Sequence, residues 1–121
     1  MDINQNTDYI VVLTNLPDGE SAQTLAQHLL QLRLVACVNV LGSCLSMYHW
    51  QEKIETTNEV PVLIKAISAN FDAIDQAIRE KHPYEVPEII ALPIIRGNAG
   101  YLDWISATTR AASPQSGANN L

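Results

Sequence analysis

Cysteine and histidine are the residues of this chain best suited to metal chemistry, and they are few. Cys37 offers a thiolate, the donor that suits Cu(I), and His82 offers a neutral imidazole able to bind copper or zinc. These two are the candidate metal ligands, for copper or another divalent cation. One histidine makes no site by itself, so the pair needs help from another element or subunit. Each also has a structural reading: Cys37 as a small buried side chain, His82 as a helix-terminal residue that hydrogen-bonds the last carbonyls. Cys44 and Met47 are weaker soft donors. His49 alternates with Tyr48 and Trp50 and so faces the other side of a strand, and His28 lies on a helix flank. A second constellation joins Glu59, Lys65 and Glu88, charged residues inside strand-like segments, with Tyr84 and Trp104 as a candidate inter-subunit cleft. Charges in strands are uncommon unless paired. They fit either a salt bridge that fixes subunit register or a cleft for an anionic or amide ligand. The large aromatics Tyr48, Trp50, Tyr84, Tyr101 and Trp104 fit packing of a hairpin and an interface.

Catalytic signatures are absent. There is no phosphate-binding glycine loop, no His-Glu-x-x-His and no Cys-x-x-Cys. A Cys37–His82 thiol–imidazole pair has no flanking signature and no identifiable third group to orient it. The chain is expected not to be an enzyme, and no organic cofactor is expected.

The elements that must position these residues follow from periodicity. Residues 1–8 form a short polar arm. Tyr9-Ile10-Val11-Val12-Leu13-Thr14 is an apolar run of central-strand type, broken by Asn15-Leu16-Pro17-Asp18-Gly19. A helix is predicted over 20–33, capped by Asp18, with Ala22, Leu25, Ala26 and Leu29 on one face. Val35 to Leu41 is strand-like, Gly42-Ser43 marks a bend or bulge, and Cys44 to Trp50 continues extended. Gln51-Glu52 is the expected hairpin tip, and a long strand runs from Lys53 towards Ile67. Two-residue tips usually need positive φ, so Glu52 points to another turn type. Pro61, unable to donate to a ladder, is expected at a bulge or with its nitrogen side unpaired. A second helix is predicted over 68–82, stopped by Pro83. A fourth strand runs over 88–92, and a last helix carries Tyr101, Trp104, Ile105 and Thr108. Residues 111–121 form a polar tail, leaving 9–110 as one domain. This order is the split βαββαβ pattern of α+β, ferredoxin-like folds, with an added C-terminal helix. Two helices cover one sheet face; the long hairpin and the bare opposite face call for sister chains.

Composition agrees with one globular domain of 121 residues, 47% hydrophobic and 17% charged. The net charge of −6 and the lack of a basic stripe argue against a nucleic-acid partner. No apolar run nears the ~18 residues of a membrane span, and the polar N-terminus lacks the pattern of a signal peptide. A cytoplasmic location is expected. On one extended segment, Cys37 and Cys44 would lie about 23 Å apart at ~3.3 Å per residue, too far for a disulfide. Free thiols fit a reducing compartment.

Several segments together resemble the CutA, or divalent-cation tolerance, family: Val11-Val12-Leu13-Thr14 before Pro17-Asp18, Leu34-Val35-Ala36-Cys37-Val38-Asn39, Tyr48-His49-Trp50, Glu59-Val60, Leu63-Ile64-Lys65, His82-Pro83-Tyr84-Glu85-Val86-Pro87-Glu88-Ile89 and Gly100-Tyr101-Leu102-Asp103-Trp104-Ile105. The match spans about residues 9–110. The resemblance implies a ferredoxin-like fold, a stable homotrimer built through long hairpins in the manner of PII signalling proteins, and copper binding. Some members carry cysteine where Thr14 stands and a His-His pair where Lys81-His82 stands, so only His82 remains of that copper site. Members often have glycine at the tip position held here by Glu52. Three functions remain open: metal tolerance, a PII-like small-molecule sensor signalling to an unidentified protein partner, or an inert anchoring trimer.

Overall fold

The computed structural model describes residues 8–112. Most of the arm and nearly all of the tail, residues 1–7 and 113–121, lie outside the described residues. The element order is β1 (Tyr9–Leu16), α1 (Gly19–Gln31), β2 (Cys37–Val40), β3 (Cys44–Trp50), β4 (Lys53–Ile67), a short 3-10 turn (Ser68–Asn70), α2 (Phe71–Lys81), β5 (Ile90–Pro93) and α3 (Ala99–Thr108). The sheet is antiparallel in the order β2-β4-β1-β5, with β3 following β2 along the same side of β4. This is the ferredoxin-like α+β arrangement that the sequence implies.

Strict alternation in β1 puts Ile10, Val12, Thr14 and Leu16 on the buried face. Val60, Val62, Ile64 and Ala66 of β4 join them, and Leu25, Leu29, Ile74 and Ile78 from α1 and α2 close the core from above. Asp18 caps α1 by accepting the Ser21 N–H at 2.8 Å, which holds its carboxyl below the usual carboxylate range. The helix stops at Gln31, two residues short of the predicted end, because Arg33 turns left-handed at φ 62. α3 lies over one end of the opposite sheet face. There Ile105 is fully buried, Ser106 Oγ meets Tyr9 Oη at 2.7 Å, and Tyr101 reaches the Cys37 thiol. The rest of that face stays open, with Ile90 and Leu92 exposed.

Beyond the helix end, a strap holds the C-terminal segment. The Arg110 N–H bonds the Arg33 carbonyl at 3.0 Å, and Arg110 Nε donates to the Leu32 carbonyl at 3.1 Å. Asn70, fully buried, donates to the carbonyls of Leu34 (3.0 Å) and Arg110 (2.9 Å) and accepts the Ala112 N–H at 2.7 Å.

β4 is about 50 Å long at ~3.4 Å per residue. β1 pairs with it only from Val60 to Ile67. Its outer half, Lys53–Glu59, has β3 on one side and an open edge on the other. The ribbon therefore overhangs the core. Val40 faces Val62 while Cys44 faces Glu59, so residues 41–43 stand opposite only 60 and 61: a bulge where Gly42 predicts one. Pro61 sits across from it, its carbonyl accepting the Leu41 N–H at 2.9 Å and its donor-less nitrogen turned to the gap.

Other boundaries also differ from expectation: β1 runs on through Asn15 and Leu16, which were expected to break it, β2 is confined to Cys37–Val40, and a 3-10 turn delays α2 to Phe71. β5 starts at Ile90, not Glu88, because Pro87 has no N–H to carry the ladder further and Glu88 meets Asn15 through side chains instead. The tip is the larger correction. Gln51 (φ 52) and Glu52 (φ 66) both take left-handed backbone, the two-residue turn that matches strand twist, although neither is glycine. Ribbon twist overrides residue preference here. Glu52→Gly is expected to raise stability by about 0.5–1 kcal/mol, the left-handed penalty less the entropy glycine adds to the unfolded chain; the urea midpoint reads it.

Candidate functional site

Pro83 forces His82 out of the helical region (φ −80, ψ 135), so the imidazole turns back under the end of β1. Its Nε2 lies 2.7 Å from the Asn15 carbonyl, and its Nδ1 accepts the Tyr84 N–H at 3.1 Å. A carbonyl only accepts and an amide only donates, so the ring is neutral with its proton on Nε2. Burial pushes its pKa below the ordinary histidine value, against smaller opposing contributions from the Asn15 carbonyl and the Glu59 charge. The ring also meets Tyr84, centroids 4.8 Å apart and tilted by 51°.

Tyr84 carries the network onward. Its hydroxyl donates to Glu59 Oε2 at 3.0 Å, and burial with that carboxylate pushes the phenol up to about 12. Asn15 Nδ2 donates to Glu88 Oε1 at 2.9 Å. Together β1's end, the 82–88 loop and the overhanging ribbon frame a cleft of about 1060 Å³. Glu55, Glu59, Glu85 and Glu88 line it with Tyr48, Trp50, Tyr84 and Met47, and no lysine or arginine does. Cross-strand pairing of Tyr48 with Glu55 and of Trp50 with Lys53 puts these aromatics on the ribbon face that carries Glu59.

Of the five cleft residues read from sequence, the structure brings together Glu59, Tyr84 and Glu88. Lys65 is elsewhere, its ammonium on Asn39 Oδ1, and Trp104 lies on α3, its ring 5.6 Å from Tyr101. Within one chain, without Lys65, the cleft is lined by carboxylates. Cys37 pairs with Lys65, level with Val11, whereas His82 binds Asn15, four residues further along β1, about 13 Å away. Cys37 and His82 therefore do not meet within one chain. Among the described residues, no three His, Cys, Asp or Glu side chains gather to hold a metal ion. Both cysteines are free thiols. Asn15, Glu55 and Glu85 escaped sequence reading; the pairing of Glu55 with Tyr48 follows from the tip position and was the one available signal.

Acidification reads the His82 geometry. A histidine kept neutral by folding binds fewer protons than in the unfolded chain once pH drops below the ordinary value of 6.5. Stability is expected to be full above that value and to be lost progressively as pH falls from it towards the lower folded pKa. His82→Gln should be less stable at neutral pH yet lose that slope, measured by urea midpoints across the interval.

The family model described as "CutA1 divalent ion tolerance protein" matches residues 10–108. The divalent-cation tolerance protein CutA of Pectobacterium atrosepticum is 40% identical over 103 residues, covering 85% of this chain and 94% of its own. That of Thermus thermophilus is 41% identical over 99 residues, covering 82% and 96%. Among solved structures, CutA1 from Oryza sativa superposes with a TM-score of 0.85 at 37% identity, covering 88% of this chain and 97% of its own.

Proposed function

The chain belongs to the CutA1 divalent ion tolerance family, and we propose that it acts in divalent-cation tolerance as a cytoplasmic homotrimer that holds copper or another divalent ion weakly. The overhanging ribbon carries this reading. Leu45, Met47 and Ile54 share one of its faces and are 63%, 65% and 68% exposed, with no helix above them. The edge of β4 beyond Val60 is unpaired in one chain, and an open edge recruits another strand. β5 bounds the sheet on one side and β2–β3 on the other, so head-to-tail pairing of unlike edges can close a ring.

The donor set within one chain does not form a copper centre. His82 would have to release Asn15 or Tyr84 to ligate, and a site that also used Cys37 would draw on two copies. The cleft carboxylates are hard oxygen donors that suit a loosely held divalent ion. The free thiols favour a reducing compartment. The cleft's size also favours a small-molecule sensor as second reading.

Sedimentation at micromolar concentration tests the assembly; a folded single-chain particle rejects it. Titration of reduced, chelator-stripped protein with Cu(I) and Cu(II) tests the metal. Affinity no better than that of denatured chain rejects it.

A further inference from the structure

The cleft's shape and charge define a ligand more narrowly than cation tolerance does. At about 1060 Å³ it lies at the upper end of small-molecule pockets, ~300–1,000 Å³, and is far larger than one ion needs. Its carboxylates are spread out and do not converge on a point. Glu59 stands apart from the others. It is only 8% exposed, and the neutral Tyr84 hydroxyl is the one group among the described residues that hydrogen-bonds it. A carboxylate withdrawn from water with a single neutral donor is short of compensation, and a positive group supplies what is missing. Tyr48, Trp50 and Tyr84 offer ring faces nearby, which attract cations and cover hydrocarbon.

We propose that this cleft binds an organic cation, an ammonium or guanidinium on a short carbon chain, with its head group on Glu59 and its chain along Tyr48 and Trp50. Glu85, exposed on the 82–88 loop, adds attraction at the rim. The inference deepens the function above, on which it rests in placing the ligand at the cleft that neighbouring copies flank.

Full-length Trp104→Phe protein, in which Trp50 is the sole tryptophan, is titrated with agmatine and with spermidine by fluorescence and calorimetry. Citrate and copper(II) serve as anionic and metal arms. Saturable binding below ~1 mM that weakens with salt is expected. Glu59→Gln should weaken it at least about tenfold, as loss of a charged hydrogen bond does. Glu85→Gln, on an exposed loop clear of the core, should weaken it a few-fold and covers the case in which the buried variant misfolds. Absence of saturation by about 10 mM of either amine, tighter binding of citrate, or affinity unchanged in both variants overturns the proposal. Copper(II) that occupies the cleft and resists displacement by agmatine overturns it while leaving cation tolerance standing. A single-chain particle that still binds agmatine upholds it and removes only the trimer.

Discussion

Asn70→Ala is expected to lower unfolding stability by about 3 kcal/mol, the largest effect of any single polar substitution in the domain. The side chain is fully buried and makes three hydrogen bonds, to the carbonyls of Leu34 and Arg110 and from the Ala112 N–H. Alanine removes all three and strands backbone groups away from water, where each costs about as much as the bond it lost. The amide is also a tie between distant segments, since Leu34 follows α1 and Arg110 follows α3. Among the described residues, ending the chain at Arg110 removes the Ala112 bond and the packing of Ala112 against the core, and should cost at least about 1 kcal/mol. In the truncated chain Asn70→Ala should then cost correspondingly less, because the two changes share a bond. Urea midpoints of the four proteins check both numbers; a loss under about 1 kcal/mol for Asn70→Ala would mean that the strap is not anchored as described.

The second large effect concerns assembly. If the chain assembles as proposed, Met47→Glu with Ile54→Glu should convert the proposed trimer to single chains. The two side chains lie on one face of the ribbon, outside the core. Burying a side chain of this size contributes roughly 1.5–3 kcal/mol, so losing two removes about 4 kcal/mol per contact, near a thousandfold in each association step. Charges in their place cannot be buried unpaired. Sedimentation should show a particle of one chain, with the far-ultraviolet spectrum of the folded domain retained. A variant that still sediments as three chains would place the contact elsewhere.

Much of this architecture was legible beforehand. The continuous apolar run of β1, the face of α1 with Asp18 ahead of it, and the length of the ribbon around Gln51-Glu52 each follow from local pattern or turn chemistry, and each is where it was expected. What escaped depends on how separate elements meet. Spacing read Glu59, Lys65 and Glu88 as charged strand residues, which holds for the first two, but said nothing of where the 82–88 loop folds. That loop takes Tyr84 to Glu59 and leaves Lys65 with Asn39. His82 was recognised as helix-terminal. That both its nitrogens are engaged required knowing that β1 ends above it. Asn70 is one polar residue at a helix start, with no period to mark it as buried. The left-handed tip ran against residue preference, because the twist of a long ribbon sets the turn and the turn residues comply.

The extra residue at 41–43 has a consequence for how this sequence can change length. Seven positions separate Cys37 from Cys44, an odd number, yet both face odd-numbered partners in β4, Lys65 and Glu59, and so point the same way. The bulge resets the phase of everything outward of it. Deleting one residue there would set two residues opposite Val60 and Pro61, so the ladder would close without a bulge while Tyr48 and Trp50 stayed opposite Glu55 and Lys53 on the Glu59 side. Shortening both strands together at the tip leaves that phase untouched. Loss of one residue at 41–43 is likewise a length change that the ribbon can absorb without turning any outer side chain over, at the expense of the bend and added twist that the bulge supplies.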